Sequence, residues 1–317
     1  MRYRSTLVYL VAAVVLVGLY LYESHTEKRK KAADLEAKRL FHVTASQIDG
    51  LVLQRGSVSL KLERGYGEDE KDWGIVSPVR SGTEKIAVTS FVDTLAELRF
   101  SRLVSEKADH LSAFGLDKPE LIISFWSGEK QDSISFGSQS PLGEGCYAGK
   151  GEGRKIYLVR TADRAALDKN LFDLRNKSLF TLEPDRIERV LIRTESADWK
   201  FKKNEGRWIL EGSDPLTLDR EKVNLIIRDT LLAYALSFEK EKAEALGSFG
   251  LDPPATRVAL SDGNRTEEIL YGRSFKAPGG DRVYAMMTGR PYVVTVRSRM
   301  VEDLPKSLDE MREKGGS

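Results

Sequence analysis

The chain has 317 residues, 41% of them hydrophobic and 31% charged, with a net charge of +2. That is enough apolar material for about two packed domains, and the near-neutral charge, with no basic face or binding motif, argues against nucleic acid as a partner. The single cysteine, Cys146, excludes an intrachain disulfide, and the three histidines, His25, His42 and His110, are too isolated in sequence to suggest a metal site.

From Ser5 to Tyr22 the chain carries no charge, and from Leu7 onward it is almost continuously apolar. A helix of that length spans roughly 27 Å, close to the hydrocarbon thickness of a bilayer. Tyr3 at one end and Tyr20 and Tyr22 at the other suit the two interfaces. Residues 1–22 are therefore read as a tail and transmembrane anchor, contacting membrane lipid through residues 5–22. A cleaved signal peptide is the weaker reading, because Leu-Tyr-Leu-Tyr-Glu-Ser-His offers no small-residue cleavage site. A buried core helix is opposed by position and uniform apolarity. Charge alone does not choose the orientation: Arg2 and Arg4 favour an inside N-terminus, while Lys28, Arg29, Lys30 and Lys31 pull the other way.

Residues 23–41 are charged, and from Glu23 to Leu40 free of Gly and Pro, which predicts a helical stalk. Ile48–Leu53 and Ser57–Leu62 then alternate apolar and polar residues as a hairpin does, and Trp73-Gly-Ile-Val reads as a further strand ending at Pro78. Thr83–Leu98 is an amphipathic helix with Thr83 as N-cap and Val88, Phe91, Val92, Leu95 and Leu98 as its apolar stripe. Leu121–Trp126, Asp132–Gly137 and Ile156–Arg160 read as strands and Ala162–Leu167 as a short helix. Further along, Asp219–Leu236 reads as a second long helix, and Arg257–Leu260, Glu267–Tyr271 and Tyr292–Arg297 as strands.

The second set repeats the first. Ile48-Asp-Gly-Leu-Val-Leu resembles Ile187-Glu-Arg-Val-Leu-Ile; Trp73 matches Trp208; Phe114-Gly-Leu-Asp-Lys-Pro119 matches Phe249-Gly-Leu-Asp-Pro-Pro254; Ile134-Ser-Phe-Gly137 matches Ile269-Leu-Tyr-Gly272; Tyr147 matches Tyr284; Leu174-Arg-Asn-Lys177 matches Met311-Arg-Glu-Lys314. The offset is 135 residues from Trp73 (208 − 73) through Gly137 and 137 from Tyr147 (284 − 147) onward, a drift that a small insertion in a duplicated module produces. Helices and antiparallel meanders are grouped, so the expected class is α+β: a transmembrane helix, then two tandem sheet-plus-helix modules, residues 42–181 and 182–317.

The doubled Phe-Gly-Leu-Asp-x-Pro motif is read as a turn. Gly115 and Gly250 take the left-handed position after a short helix, with Leu116 against Leu111, Leu251 against Leu246, and prolines ending the helix. Asp117 and Asp252 are expected to bond local backbone amides rather than to act as paired acids. The glycine-rich stretch Gly143–Gly153 lacks a P-loop ending and is read as a connection between antiparallel strands. Cys146 is expected to be buried or in a loop, and Trp73 and Trp208 to pack in cores. Arg175, Lys177, Arg312 and Lys314 are expected to complement helix C-termini or pair with acids. No catalytic spacing stands out, so no catalytic, cofactor-binding or metal-ligating residue and no cofactor is assigned.

The same residues carry a resemblance. An N-terminal anchor, a Trp soon followed by Pro, a long helix, Phe-Gly-Leu-Asp-x-Pro and a strand ending Ile-x-Phe-Gly together resemble a bacterial family known only as a domain of unknown function, DUF4340. Genes of that family commonly lie beside those of an ABC transporter of the gliding-motility type. The resemblance implies a periplasmic body and an accessory role with that transporter. Together with the expected anchor and the lack of catalytic spacing, the chain is read as a single-pass protein of the bacterial inner membrane, a non-enzymatic accessory or scaffold alongside ABC-type transporter subunits. The alternative is an envelope ligand-binding module or enzyme with a site between the two repeats. An interaction protein would carry an exposed apolar or charged patch, whereas a binding module or enzyme would carry a concave site with convergent polar groups.

Overall fold

The computed structural model describes residues 2–66, 72–212 and 216–313, of which residues 2–15, 17 and 18 are described as helical backbone only. The chain divides into two compact units, Met1–Arg175 and Asn176–Ser317. The break falls a few residues ahead of the boundary expected after residue 181, because Leu179, Phe180 and Leu182 pack in the second core.

The first unit begins with α1 (Arg2–Ala37). The expected stalk is helical to Ala37, and its described residues are mostly exposed. The expected span Ser5–Tyr22 lies in the same helix, but most of its side chains are outside the described residues. Among the described residues, no helix is long and apolar enough to cross a membrane. The end of the stalk belongs to the module rather than preceding it. Leu40 and Phe41 are buried in the first core, and Phe41 meets Phe125 edge-on at 4.9 Å. The Leu40 amide donates to the Leu98 carbonyl, and the Arg39 guanidinium donates to the Ala96 carbonyl at 3.0 Å.

The module continues with β1 (Gly50–Arg55), β2 (Val58–Arg64), β3 (Trp73–Ser77), β4 (Ser81–Gly82), α2 (Lys85–Ala96), β5 (Phe100–Ser105), β6 (Leu121–Ser127), β7 (Lys130–Gln139), β8 (Cys146–Lys150), β9 (Ile156–Val159), α3 (Thr161–Leu167) and α4 (Leu171–Leu174). Its nine strands form one antiparallel sheet in the order β4-β3-β2-β1-β6-β7-β8-β9-β5. The register sets Leu51 opposite Leu62 and Phe125, and Ile123 opposite Leu53 and Ile134. Alternate residues thus build one apolar face, which α2 covers with Val88, Phe91, Val92 and Leu95. Between β4 at one edge and β5 at the other, α2 carries the chain across the sheet.

The second unit holds β10 (Arg189–Arg193), β11 (Asp198–Asn204), β12 (Arg207–Leu210), α5 (Arg220–Leu231), β13 (Ser237–Lys240), β14 (Thr256–Ser261), β15 (Thr266–Phe275), β16 (Arg282–Met287), β17 (Val293–Arg297) and α6 (Arg299–Glu302). Its sheet order, β12-β11-β10-β14-β15-β16-β17-β13, is that of the first sheet without the edge strand β4. The short pair Gly74–Gly82 recurs as the bridge Ile209–Thr217.

Several expectations are corrected. The N-cap of α2 is Glu84, not Thr83, whose hydroxyl donates to the Trp73 carbonyl at 3.0 Å. The long helices stop at Ala96 and Leu231, short of Leu98 and Leu236, because the chain turns to form the edge strands β5 and β13. The glycine-rich stretch is not a plain connection. It contains β8, with positive-φ turns at Gly143 and Gly151 on either side.

Candidate functional site

The repeated residues are accounted for by folding. Both Phe-Gly-Leu turns are single 3-10 turns, Leu111–Phe114 and Leu246–Phe249, closed by Gly115 and Gly250 at φ +68°. The Leu116 amide donates to the Leu111 carbonyl and the Leu251 amide to the Leu246 carbonyl, each at 3.0 Å, the expected six-to-one bond. Each leucine pair shares a small apolar cluster with the phenylalanine of its turn, and Phe114 and Phe249 meet Tyr147 and Tyr284 edge-on at 5.0 Å. Gly137 and Gly272 recur because the turn lies on them: a Cβ at either would stand 2.2 Å from the carbonyl oxygen of Phe114 or Phe249.

The terminal Leu-Arg and Met-Arg pairs close each module. Thr83 bridges Arg175 and Leu218 bridges Arg312, and the Glu84 and Asp219 amides donate to the Leu174 and Met311 carbonyls, each at 2.8 Å. Leu174 and Met311 are buried. Arg175 and Lys177 are buried as well, with the Lys177 ammonium 5.9 Å from the Tyr234 ring centroid, whereas Arg312 is exposed and pairs with Asp309 at 3.0 Å. Lys314 lies outside the described residues.

Trp208 is buried in the second core, and Trp73 packs half-buried on the first beneath the Arg64 guanidinium. Asp117 and Asp252 are exposed, and among the described residues neither carboxylate makes the expected bond to a backbone amide. The Cys146 thiol is buried, and burial pushes its pKa up to about 11, which leaves almost no thiolate at neutral pH. His25, His42 and His110 are exposed and apart, and among the described residues no three His, Cys, Asp or Glu side chains gather as a metal-holding group.

What the repeat does not explain is where the two copies differ. Asp219 caps α5, accepting from the Glu221 and Lys222 amides at 2.9 and 3.3 Å, and Val223, Ile226, Ile227 and Thr230 form its buried face. In the first copy the counterparts of Ile226 and Thr230 are Phe91 and Leu95, both buried, and Leu167 closes over them from α3. In the second copy, smaller side chains face a shorter helix, and Leu304, the counterpart of Leu167, is only half-buried. The result is a cleft of about 300 Å³ between α5 and α6. Ile226, Met300 and Leu304 line it, Leu225 and Leu232 flank it, and Asp229, Arg299 and Asp303 stand around it.

Leu225 is 46% exposed and Leu232 67% exposed, where the first copy has Ser90 and Glu97. Spaced seven residues apart, they lie on one side of the helix. An apolar floor with rim charges of both signs suits an apolar side chain or an amphipathic segment better than a small charged substrate. Sequence reasoning passed over the cleft, although a threonine in the buried stripe and two leucines off it were its available signal.

A family model described as a domain of unknown function (DUF4340) matches residues 73–233 and 208–315, starting in each case at one of the paired tryptophans. No curated protein and no solved structure matches the chain.

Proposed function

The chain belongs to the DUF4340 family, and on that premise we propose that it is a non-catalytic accessory subunit. In this reading it is anchored in the bacterial inner membrane by a single pass at residues 5–22, with its body in the periplasm, and it associates with an ABC-type transporter of the gliding-motility kind. The observation that carries the reading is the cleft between α5 and α6. It lies where the second copy has Ile226 and Thr230 in place of the packing residues Phe91 and Leu95 of the first, and the exposed Leu225 and Leu232 in place of Ser90 and Glu97. Side chains of that kind, held at the rim of an apolar cleft, favour docking of a partner's amphipathic helix. A membrane anchor adds to this by raising the local concentration of a membrane partner.

The test is mild detergent extraction after crosslinking in cells, with the full chain as bait. ABC transporter subunits should co-purify with the wild type and fall by about tenfold or more with the double variant Leu225→Asp, Leu232→Asp, as expected when a buried apolar contact is replaced by a desolvated charge. Recovery of the wild type without any transporter subunit would overturn the proposal, and so would a reporter fused after Ser317 that proved cytoplasmic.

A further inference from the structure

The second unit carries a cluster of arginines that the first does not. Arg193 at the end of β10 lies directly opposite Arg257 at the start of β14. Two like charges directly opposed across an antiparallel pair are destabilising unless something neutralises them. Arg273 joins them from β15, where the register shifts between Tyr271 and Ser274. The three side chains line one open groove of about 520 Å³, together with Thr194 and the backbone of Gly250 and Gly272.

Two of the three have partners. Arg193 pairs with Asp198 at 2.7 Å, and Arg273 donates to the Ser248 carbonyl at 2.7 Å. Arg257 is half-buried and has no carboxylate within ion-pair distance among the described residues. Glu195, exposed at the groove's rim, is the one acid lining it among the described residues.

The first copy locates the difference. Gln54 lies opposite Ile122 in the register where Arg193 lies opposite Arg257. Ser138 holds the place of Arg273: a Cβ on Gly115 would meet Ser138, and a Cβ on Gly250 would meet Arg273. Glutamine, isoleucine and serine fold the same turn and the same strands, so the fold does not require the arginines.

We infer that this groove binds a phosphate-bearing anion. Three arginines lining one groove from three strands offer donors for the several oxygens of a tetrahedral phosphate, whereas a planar carboxylate is satisfied by one bidentate fork. The shared chemistry fits either a lipid headgroup phosphate or a free phosphate.

The experiment uses the full chain in a zwitterionic, phosphate-free detergent and two titrations followed by calorimetry. One ligand is inorganic phosphate against a chloride control of equal ionic strength; the other is dihexanoyl phosphatidylglycerol below its micelle concentration. Wild type should bind at least one of the two, and Arg257→Ile, which installs the residue of the first copy, should weaken that binding by about tenfold or more. Arg273→Ser provides a second variant should Arg257→Ile fold poorly. Binding of phosphate alone identifies a soluble anion, and binding of the lipid identifies a headgroup. No binding of either by wild type, or binding unchanged in both variants, overturns the inference.

Discussion

Replacing Gly272 by alanine tests the account of the repeated turn at its most constrained point. The added Cβ would lie 2.2 Å from the Phe249 carbonyl oxygen, 2.9 Å from the Gly250 carbonyl carbon and 3.0 Å from its oxygen. Ordinary contact begins near 3.4 Å, so the turn has to retreat by about 1.2 Å. The obstructing atoms are backbone, which cannot rotate away as a side chain can. The retreat also pulls the buried Leu251 and the edge-on Phe249–Tyr284 contact out of register. Overpacking of this kind costs about 2–3 kcal/mol, the upper part of the usual range. With a urea slope of about 2 kcal/mol per molar, the unfolding midpoint of the second unit should fall by about 1–1.5 M. Hydrogen exchange resolved by peptide assigns the effect, with loss of protection expected across β14 and β15. Gly212→Ala, exposed and with no atom of the described residues within 4 Å of the added Cβ, should stay within about 0.5 kcal/mol of wild type. Gly137→Ala, with the same 2.2 Å approach, should cost the first unit a similar amount. A midpoint for Gly272→Ala indistinguishable from wild type would refute the argument that close packing, rather than chance, explains the recurrent glycine.

Other outcomes follow from the same geometry. Gly115→Val or Gly250→Val should destabilise its unit by more than about 1 kcal/mol, since a β-branched residue resists φ +68°, while Asp117→Asn should leave the urea midpoint unchanged. The proposed anchor at residues 5–22, rather than the described geometry, predicts that the full chain resists carbonate extraction from membranes. A shortened chain starting at Lys38 should be soluble, and one starting at Val43 should be less stable by about 2–5 kcal/mol, because it lacks the buried Leu40 and Phe41. The raised Cys146 pKa, caused chiefly by burial, means that the unfolded chain releases this proton before the folded chain does. The stability it contributes is therefore present below pH 9.0 and lost as pH rises toward about 11, roughly 2–3 kcal/mol across that window. In urea titrations at stepped pH, Cys146→Ala should flatten that slope, and an unchanged slope would show that the thiol does not titrate as described.

Turns and strands whose signal sits in neighbouring residues were legible in the sequence. The left-handed glycines, the leucine pairs around them and the alternating strands β1, β2, β6 and β7 needed only adjacent side chains to be read. Edge strands were not legible. β5 buries no residue fully and β13 is two half-buried residues followed by two exposed ones, so neither shows the alternation that marks a strand with one buried face. β8 was obscured by the glycines of its own turns. The roles of Leu174-Arg175 and Met311-Arg312 were also hidden, because each pairs with a residue more than 90 positions earlier, Thr83 and Leu218.

The sequence by itself determined that the chain is a duplication, which residues make its turns, and the apolar stripe of the first long helix, because these depend on backbone preferences and on periodicities of two and 3.6 residues. Only the tertiary structure decided how the copies differ. The cleft between α5 and α6 exists because Ile226 and Thr230 leave room that Phe91 and Leu95 fill, a difference of volume that appears only once the helices are packed. The arginine groove exists because the register sets Arg193 beside Arg257, residues 64 positions apart that no local pattern connects.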